Sequence, residues 1–209
     1  MKIFICALLV LTANACSAGH RCWTYRCGKW YNRKTCTGSA VCGAGTYSPS
    51  GSWSCHASPA GFYSQAGAGA PTRCPAGSYQ PNAGQSSCIQ CAAGYFASHT
   101  GMTSCSSCSP STYQPSKGAS TCLACPAGHM CPFSKMVSAV SCPGGTFSSQ
   151  GAQSCSACAI GTYSFEGASS CTSCKAGEFC NSTSTAPITC PAGTFSKSGA
   201  IDCDACPAG

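Results

Sequence analysis

The sequence predicts a small disulfide-rich repeat protein. Tandem units of about 16–17 residues, made of short antiparallel β-strands and turns, form an elongated rod with little helix apart from a signal peptide. Three observations predict this. Cysteines recur at a nearly constant period. Glycines and one aromatic hold fixed places inside each period. Only 7% of the residues are charged, while 24 of 209 are Cys and 24 are Gly. Such a composition does not make a conventional core, and the regular period overrides a length that otherwise suits one or two ordinary domains.

The period is read from the cysteine that opens each repeat: Cys42, Cys74, Cys91, Cys108, Cys125, Cys142, Cys158, Cys174, Cys190 and Cys206, with Ser58 standing where one more belongs. The spacing is nearly even. The four steps from Cys74 to Cys142 are each one residue longer than the others. Three residues after each opening position stands a Gly, broken only by Ser111. Five residues after it stands an aromatic, broken only by Met130. A second Cys closes most repeats, as Cys55 follows Cys42 and Cys88 follows Cys74, with a further Gly four residues before it. Gly tolerates positive φ, so the two glycines mark tight turns. Pro75, Pro126, Pro143 and Pro191 fix φ at the turn entrance. The recurring aromatic is expected to be buried. One disulfide around about 15 residues contributes only about 3 kcal/mol, less than ordering the loop costs. A lone repeat is therefore expected to be unfolded and the array stable only as an array.

One repeat indicates the pairing. Ser58 replaces the opening Cys, and Pro71 stands where its partner is expected. Joint loss is what pairing inside a repeat predicts, since losing one partner leaves a free thiol. The expected bridges are Cys42–Cys55, Cys74–Cys88, Cys91–Cys105, Cys108–Cys122, Cys142–Cys155, Cys158–Cys171 and Cys190–Cys203. Two repeats differ, with Ala139 and Pro187 at the partner position. Their simplest reading is Cys125–Cys131 and Cys174–Cys180. Interleaving with the next repeat, as Cys125–Cys142 with Cys131–Cys155, stays open.

Residues 1–15 read as a secretory signal peptide. Lys2 is the positive start, Ile3 to Leu11 the apolar stretch, and Ala13-Asn14-Ala15 the small-residue cleavage site. The apolar stretch is far too short to span a membrane. Cleavage after Ala15 keeps Cys16 and leaves an even cysteine count once Cys206 is set aside. Entry into the secretory route makes lasting disulfides expected and puts the protein outside the cell or on its outer face.

Residues 16–41 read as a basic, aromatic, Cys-rich N-terminal cap. Arg21, Arg26, Lys29, Arg33 and Lys34 are five of the eleven basic residues, and no acid precedes Glu166. Trp23, Tyr25, Trp30 and Tyr31 lie among them. The cluster is a candidate polyanion-binding surface, for anionic glycans or acidic protein. A solvated cap that ends the array is the plainer reading. Nucleic acid shares the charge signature, but secretion argues against it. Cys16, Cys22, Cys27 and Cys36 form two bridges of open pairing. Residues 42–205 are the tandem repeats, and residues 206–209 open a further one. The chain reads as incomplete, because the partner of Cys206 would lie beyond Gly209. A membrane anchor downstream of Gly209 is compatible with this. Asn181-Ser182-Thr183 is an N-glycosylation sequon.

Catalysis and metal binding find no support. Two Cys-x-x-Cys pairs, Cys88/Cys91 and Cys105/Cys108, come near a zinc-ribbon spacing. Ser58 and Pro71 would each spoil half of such a knuckle, whereas the disulfide scheme absorbs both. A thioredoxin-like site needs one Cys-x-x-Cys at a helix start in an α/β domain. The four His and four acids show no placed acid–base pair. No enzyme activity and no cofactor are expected.

The segments Cys142–Cys158 (CPGGTFSSQGAQSCSAC) and Cys190–Cys206 (CPAGTFSKSGAIDCDAC) resemble the ephrin-receptor-like cysteine-rich repeat. CPAGHMCP at Cys125–Pro132 looks like a variant common in such arrays. More distantly, the repeats are similar to growth-factor-receptor and tumour-necrosis-factor-receptor cysteine-rich modules. The resemblance covers about Cys42 to Gly209. It implies a non-catalytic extracellular or cell-surface array with protein or glycan partners. Nothing resembles an ephrin-binding domain or a kinase. A ligand-binding receptor ectodomain, or a protist variant-surface-antigen-like protein, is the alternative setting.

Overall fold

The computed structural model describes residues 17–27 and 34–207. The expected signal peptide lies outside the described residues. The chain divides into two compact parts, Met1–Gln90 with Ala97–Cys105, and Cys91–Phe96 with Ser106–Gly209. Both are built on one plan, a succession of two-stranded antiparallel hairpins. No helix occurs among the described residues.

The first hairpin pairs β1 (His20–Cys27) with β2 (Lys34–Val41), in register from His20 opposite Val41 to Cys27 opposite Lys34. Ten hairpins with strands of two residues follow, from Thr46–Tyr47 against His56–Ala57 to Thr194–Phe195 against Asp204–Ala205. In each, the recurring aromatic position and the residue before it pair with the two residues preceding the next opening position. A hydroxyl often caps the turn before the strand: Thr46, Thr112, Thr146, Thr162 and Thr194 each donate from Oγ1 to the carbonyl three residues back, at 2.6–2.7 Å.

Strands this short cannot hold themselves, and backbone bonds between successive repeats complete them. In the first part, Gly45 N–H donates to Ser64 O (2.8 Å), Ser48 N–H to Ala68 O (3.0 Å), and Gly67 N–H back to Cys42 O (2.9 Å). In the second part the same three bonds join Gly128 to Ser148, Cys131 to Ala152, and Gly151 back to Cys125, at 2.8–3.0 Å. The donors are the residues three and six places after the opening position, and the second Gly of the following repeat.

The first Gly of a repeat meets two demands. Gly61 has φ +81°, and a Cβ on it would strike the carbonyl of Gly101, two repeats further on. Gly128 stands in the same relation to Gly167. Left-handed backbone and close approach together admit only Gly. Ser111 keeps the left-handed backbone (φ +74°) and both of its ladder bonds, its N–H donating to Cys131 O and its carbonyl accepting from Cys125 N–H. It is thus a strained substitute within the same structure.

The core is narrower than the sequence suggests. Most opening cysteines are almost completely buried, and beside them lies the sixth residue of each repeat: Ser48, Ser64, Gln80, Ala97, Gln114, Cys131, Ser148, Ser164, Cys180 and Ser196. The expected aromatic core is absent. Tyr47, Tyr63, Tyr79, Phe96, Tyr113, Phe147, Tyr163 and Phe179 are only half-buried, and Phe195 is exposed. A hairpin of two-residue strands has no second layer to cover a ring. The sixth residue also follows repeat length. Gln occurs there only in longer repeats, those opening at Cys74 and Cys108, and its Nε2 crosses the loop to Ser87 O (2.8 Å) or Thr121 O (2.7 Å). Ser occurs there only in shorter repeats, where its Oγ can reach the preceding repeat, as from Ser148 to His129 O and from Ser164 to Thr146 O.

Replacing Ser111 by Gly should relieve the strained backbone and stabilise the array by about 1 kcal/mol. Gly61→Ala should cost more than the about 1–2 kcal/mol of left-handed backbone alone, because the carbonyl of Gly101 must also move. Thermal unfolding of the oxidised protein checks both. Equal midpoints for Gly61→Ala and wild type would refute the close-approach argument.

Candidate interaction surface

The disulfides close each loop inside one repeat. Cys42–Cys55, Cys74–Cys88, Cys108–Cys122, Cys142–Cys155, Cys158–Cys171 and Cys190–Cys203 join positions 13 or 14 apart. Cys91 and Cys105 are also disulfide-bonded. Cys125 closes on Cys131 and Cys174 on Cys180, so the interleaved arrangement is not formed. In these two repeats the second sulfur occupies the buried sixth position that Ser or Gln fills elsewhere. Cys206 is a free, exposed thiol.

Ser58 shows how a repeat does without its bridge. It is fully buried in the place of an opening Cys, with Oγ 2.7 Å from Ser64 Oγ and 3.1 Å from Gly45 O. Its N–H still donates to Gly45 O (2.9 Å), and its carbonyl still accepts from Gly84 N–H (2.7 Å). The inter-repeat ladder therefore survives without the disulfide.

With the interior given to sulfur, hydroxyl and amide, the aromatic side chains form part of the surface. Most face a polar or aliphatic partner across the hairpin, as Tyr79 faces Ile89, Tyr113 faces Leu123 and Phe179 faces Ile188. Ile89, Leu123 and Ile188 are exposed. Some rings are held by neighbours: Arg73 lies 5.6 Å over Phe62, Lys135 lies 5.6 Å over Tyr95, and Tyr47 packs against His56. Such cation–π contacts are modest at exposed sites.

Three of the five basic residues, Arg21, Arg26 and Lys34, lie on the long hairpin. Arg21 is exposed at its base. Arg26 lies opposite Thr35, and Lys34 opposite Cys27. Lys29 and Arg33 lie outside the described residues, as does Cys16. Sequence reasoning treats 16–41 as separate from the repeats, yet the structure joins its base to them in phase. Gly19 has φ +81°, donates to Ser48 O (2.8 Å) and accepts from Cys42 N–H (2.8 Å). These are the bonds of a repeat's first Gly. The signal was present as Cys16 followed three residues later by Gly19, hidden by the overlong step from Cys16 to Cys42. With eight residues per strand against two, the hairpin has roughly 20 Å more strand length than the others.

Asn181 is exposed, directly after the buried Cys180. The acids are scattered: Glu166, Asp202 and Asp204 are exposed, and Glu178 is half-buried. Among the described residues no three His, Cys, Asp or Glu are placed to share a metal ion. No helix among them is long and apolar enough to cross a membrane. No buried side-chain nitrogen or oxygen among them lacks a hydrogen-bond partner.

Two outcomes follow for the disulfide frame. Ser58→Cys with Pro71→Cys should form the missing bridge and stabilise by about 3 kcal/mol; two free thiols in a non-reducing peptide map would show that the loop does not bring these positions together. A chelator should leave the melting temperature unchanged, while dithiothreitol should abolish the cooperative transition. Unfolding by the chelator alone would restore a structural metal.

No curated protein matches the chain. A family model described as tyrosine-protein kinase ephrin type A/B receptor-like matches residues 61–104 and, overlapping them, residues 94–142. The matched segments contain the features found throughout: left-handed first glycines, short hairpins and disulfide-closed loops. Residues 61–142 are thus ephrin-receptor-like cysteine-rich repeats, and the repeats on either side are built on the same plan.

Proposed function

We propose that this chain is a non-catalytic extracellular or cell-surface interaction protein, whose repeats form a support for the basic, aromatic hairpin β1–β2. The observation that carries the reading is the in-phase attachment of that hairpin through Gly19. A ribbon bonded to the array by the same backbone groups as most other repeats is held at its base. The rest of the molecule supports a scaffold role. Its interior holds disulfides, hydroxyls and two amides, with no placed acid, base or nucleophile among the described residues. Disulfides at this density suit an oxidising environment outside the cell.

The partner chemistry is anionic. Arg21, Arg26, Lys29, Arg33 and Lys34 fall close together in the chain, with four aromatics among them and no acid. Sulfated or sialylated glycans and acidic protein surfaces offer matching charge. Such binding is weakened by salt, because exposed charges are screened over about 8–10 Å.

Arg33→Ala with Lys34→Ala should weaken binding to immobilised heparin. At about 1 kcal/mol per cation facing an anionic surface, the loss is roughly 30-fold. The wild type should elute earlier as salt is raised in the loading buffer. Unchanged retention of the double variant would overturn the assignment of the anion site to this hairpin.

A further inference from the structure

We infer that Asn181 carries an N-linked glycan, added before the repeat at Cys174 docks on its neighbours. The inference rests on the extracellular reading above. Asn181-Ser182-Thr183 is the only Asn-x-Ser/Thr triplet in the chain. The structure sets this triplet in an unusual repeat. Its disulfide closes early, between Cys174 and Cys180, so residues 181–189 lie outside any disulfide loop. Thr183 holds the place that the second Gly holds in regular repeats. There a Gly donates its N–H to the opening residue of the preceding repeat, as Gly167 does to Cys142 and Gly199 to Cys174. Thr183 makes no such bond to Cys158. Instead its carbonyl accepts from Ser164 N–H at 3.0 Å, one residue earlier than the register of the other repeats.

The two ends of the triplet are placed differently. Asn181 is exposed, so a glycan on Nδ2 extends into solvent without displacing the ladder. Thr183 is half-buried, and its Oγ1 lies where a Cβ on Gly145, two repeats back, would come within 2.8 Å. Transfer needs the whole triplet accessible. Nδ2 of Asn181 attacks C1 of an oligosaccharide carried on a polyprenyl diphosphate. The C1–N bond forms, the C1–O bond to diphosphate breaks, the polyprenyl diphosphate leaves, and Nδ2 loses one proton. The docked Thr183 is not free for that reaction, whereas the undocked segment, with no disulfide across it, is. The early closure at Cys180 thus leaves the acceptor open and then exposes the product.

The test is translation of the full chain with translocation-competent microsomes. The expected result is a protease-protected chain with one endoglycosidase-sensitive mobility step. That step is lost in Asn181→Gln and Thr183→Ala and kept in Thr183→Ser. A protected chain without the step overturns the glycan while leaving the extracellular reading intact. A chain left outside the vesicles overturns both. Dithiothreitol during translocation should leave the step in place; its loss would overturn the order of events, since it would mean that the folded repeat is the acceptor.

Discussion

Most repeats depend on one backbone N–H, that of the residue three places after the opening position. From Gly45 it reaches Ser64 O, from Gly94 Gln114 O, and from Gly177 Ser196 O. The bond cannot form without a left-handed residue at its donor, and in most repeats that residue must also lack a Cβ to admit a carbonyl from two repeats further on. A repeat therefore contains only part of its own structure. Its hairpin is closed by its own disulfide, but its turns are finished by the repeats that follow. This explains how strands of two residues persist, although isolated hairpins are at best marginal in water.

The period, the left-handed glycines and the closed loops were all legible in the chain, because cysteine and glycine are held to geometry that other residues, such as Ser111, meet only under strain. The paired loss at Ser58 and Pro71 carried the argument for closure within a repeat, because two positions changing together report a contact. What was not legible was the interior. Tyr and Phe at the fifth position read as core by hydrophobicity, yet the thin hairpin leaves them half covered. Ser at the sixth position gave no signal of burial, yet it is buried, and at Ser148 it is bonded to the preceding repeat. Hydrophobic patterning assumes two layers around an apolar centre, and here the centre is a line of sulfur and hydroxyl groups. The block of longer repeats from Cys74 to Cys142 was visible as a number, but its link to Gln80 and Gln114 needed the loop geometry.

The candidate surface was legible as composition and not as placement. Clustered Arg and Lys among Trp and Tyr could be read directly, whereas the attachment of that segment through Gly19 could not, because its enlarged hairpin breaks the period. The same holds at Asn181. The triplet was plain, but the slipped register of Thr183 and its position beside Gly145 arise from repeats that are distant in sequence. In both cases the candidate site falls in a repeat that departs from the common plan while its neighbours hold it in place.

The bridge missing between Ser58 and Pro71 has a mechanical consequence. Most repeats are locked loops: when the chain is pulled, Cys42–Cys55 keeps its enclosed residues out of the load path, with only the 5.7 Å between its Cα atoms in line. Such a repeat lengthens by roughly 10 Å beyond that span. The repeat opening at Ser58 has no lock, and once its hydrogen bonds part it extends to about 55 Å. Under tension this repeat is the longest extensible link, in the first compact part and close to the basic hairpin; the repeats at Cys125 and Cys174, whose bridges close early, come next at about 35 Å. A load applied through that hairpin meets this link after only one locked repeat, so the hairpin and the rest of the chain can separate by tens of ångströms with every disulfide intact.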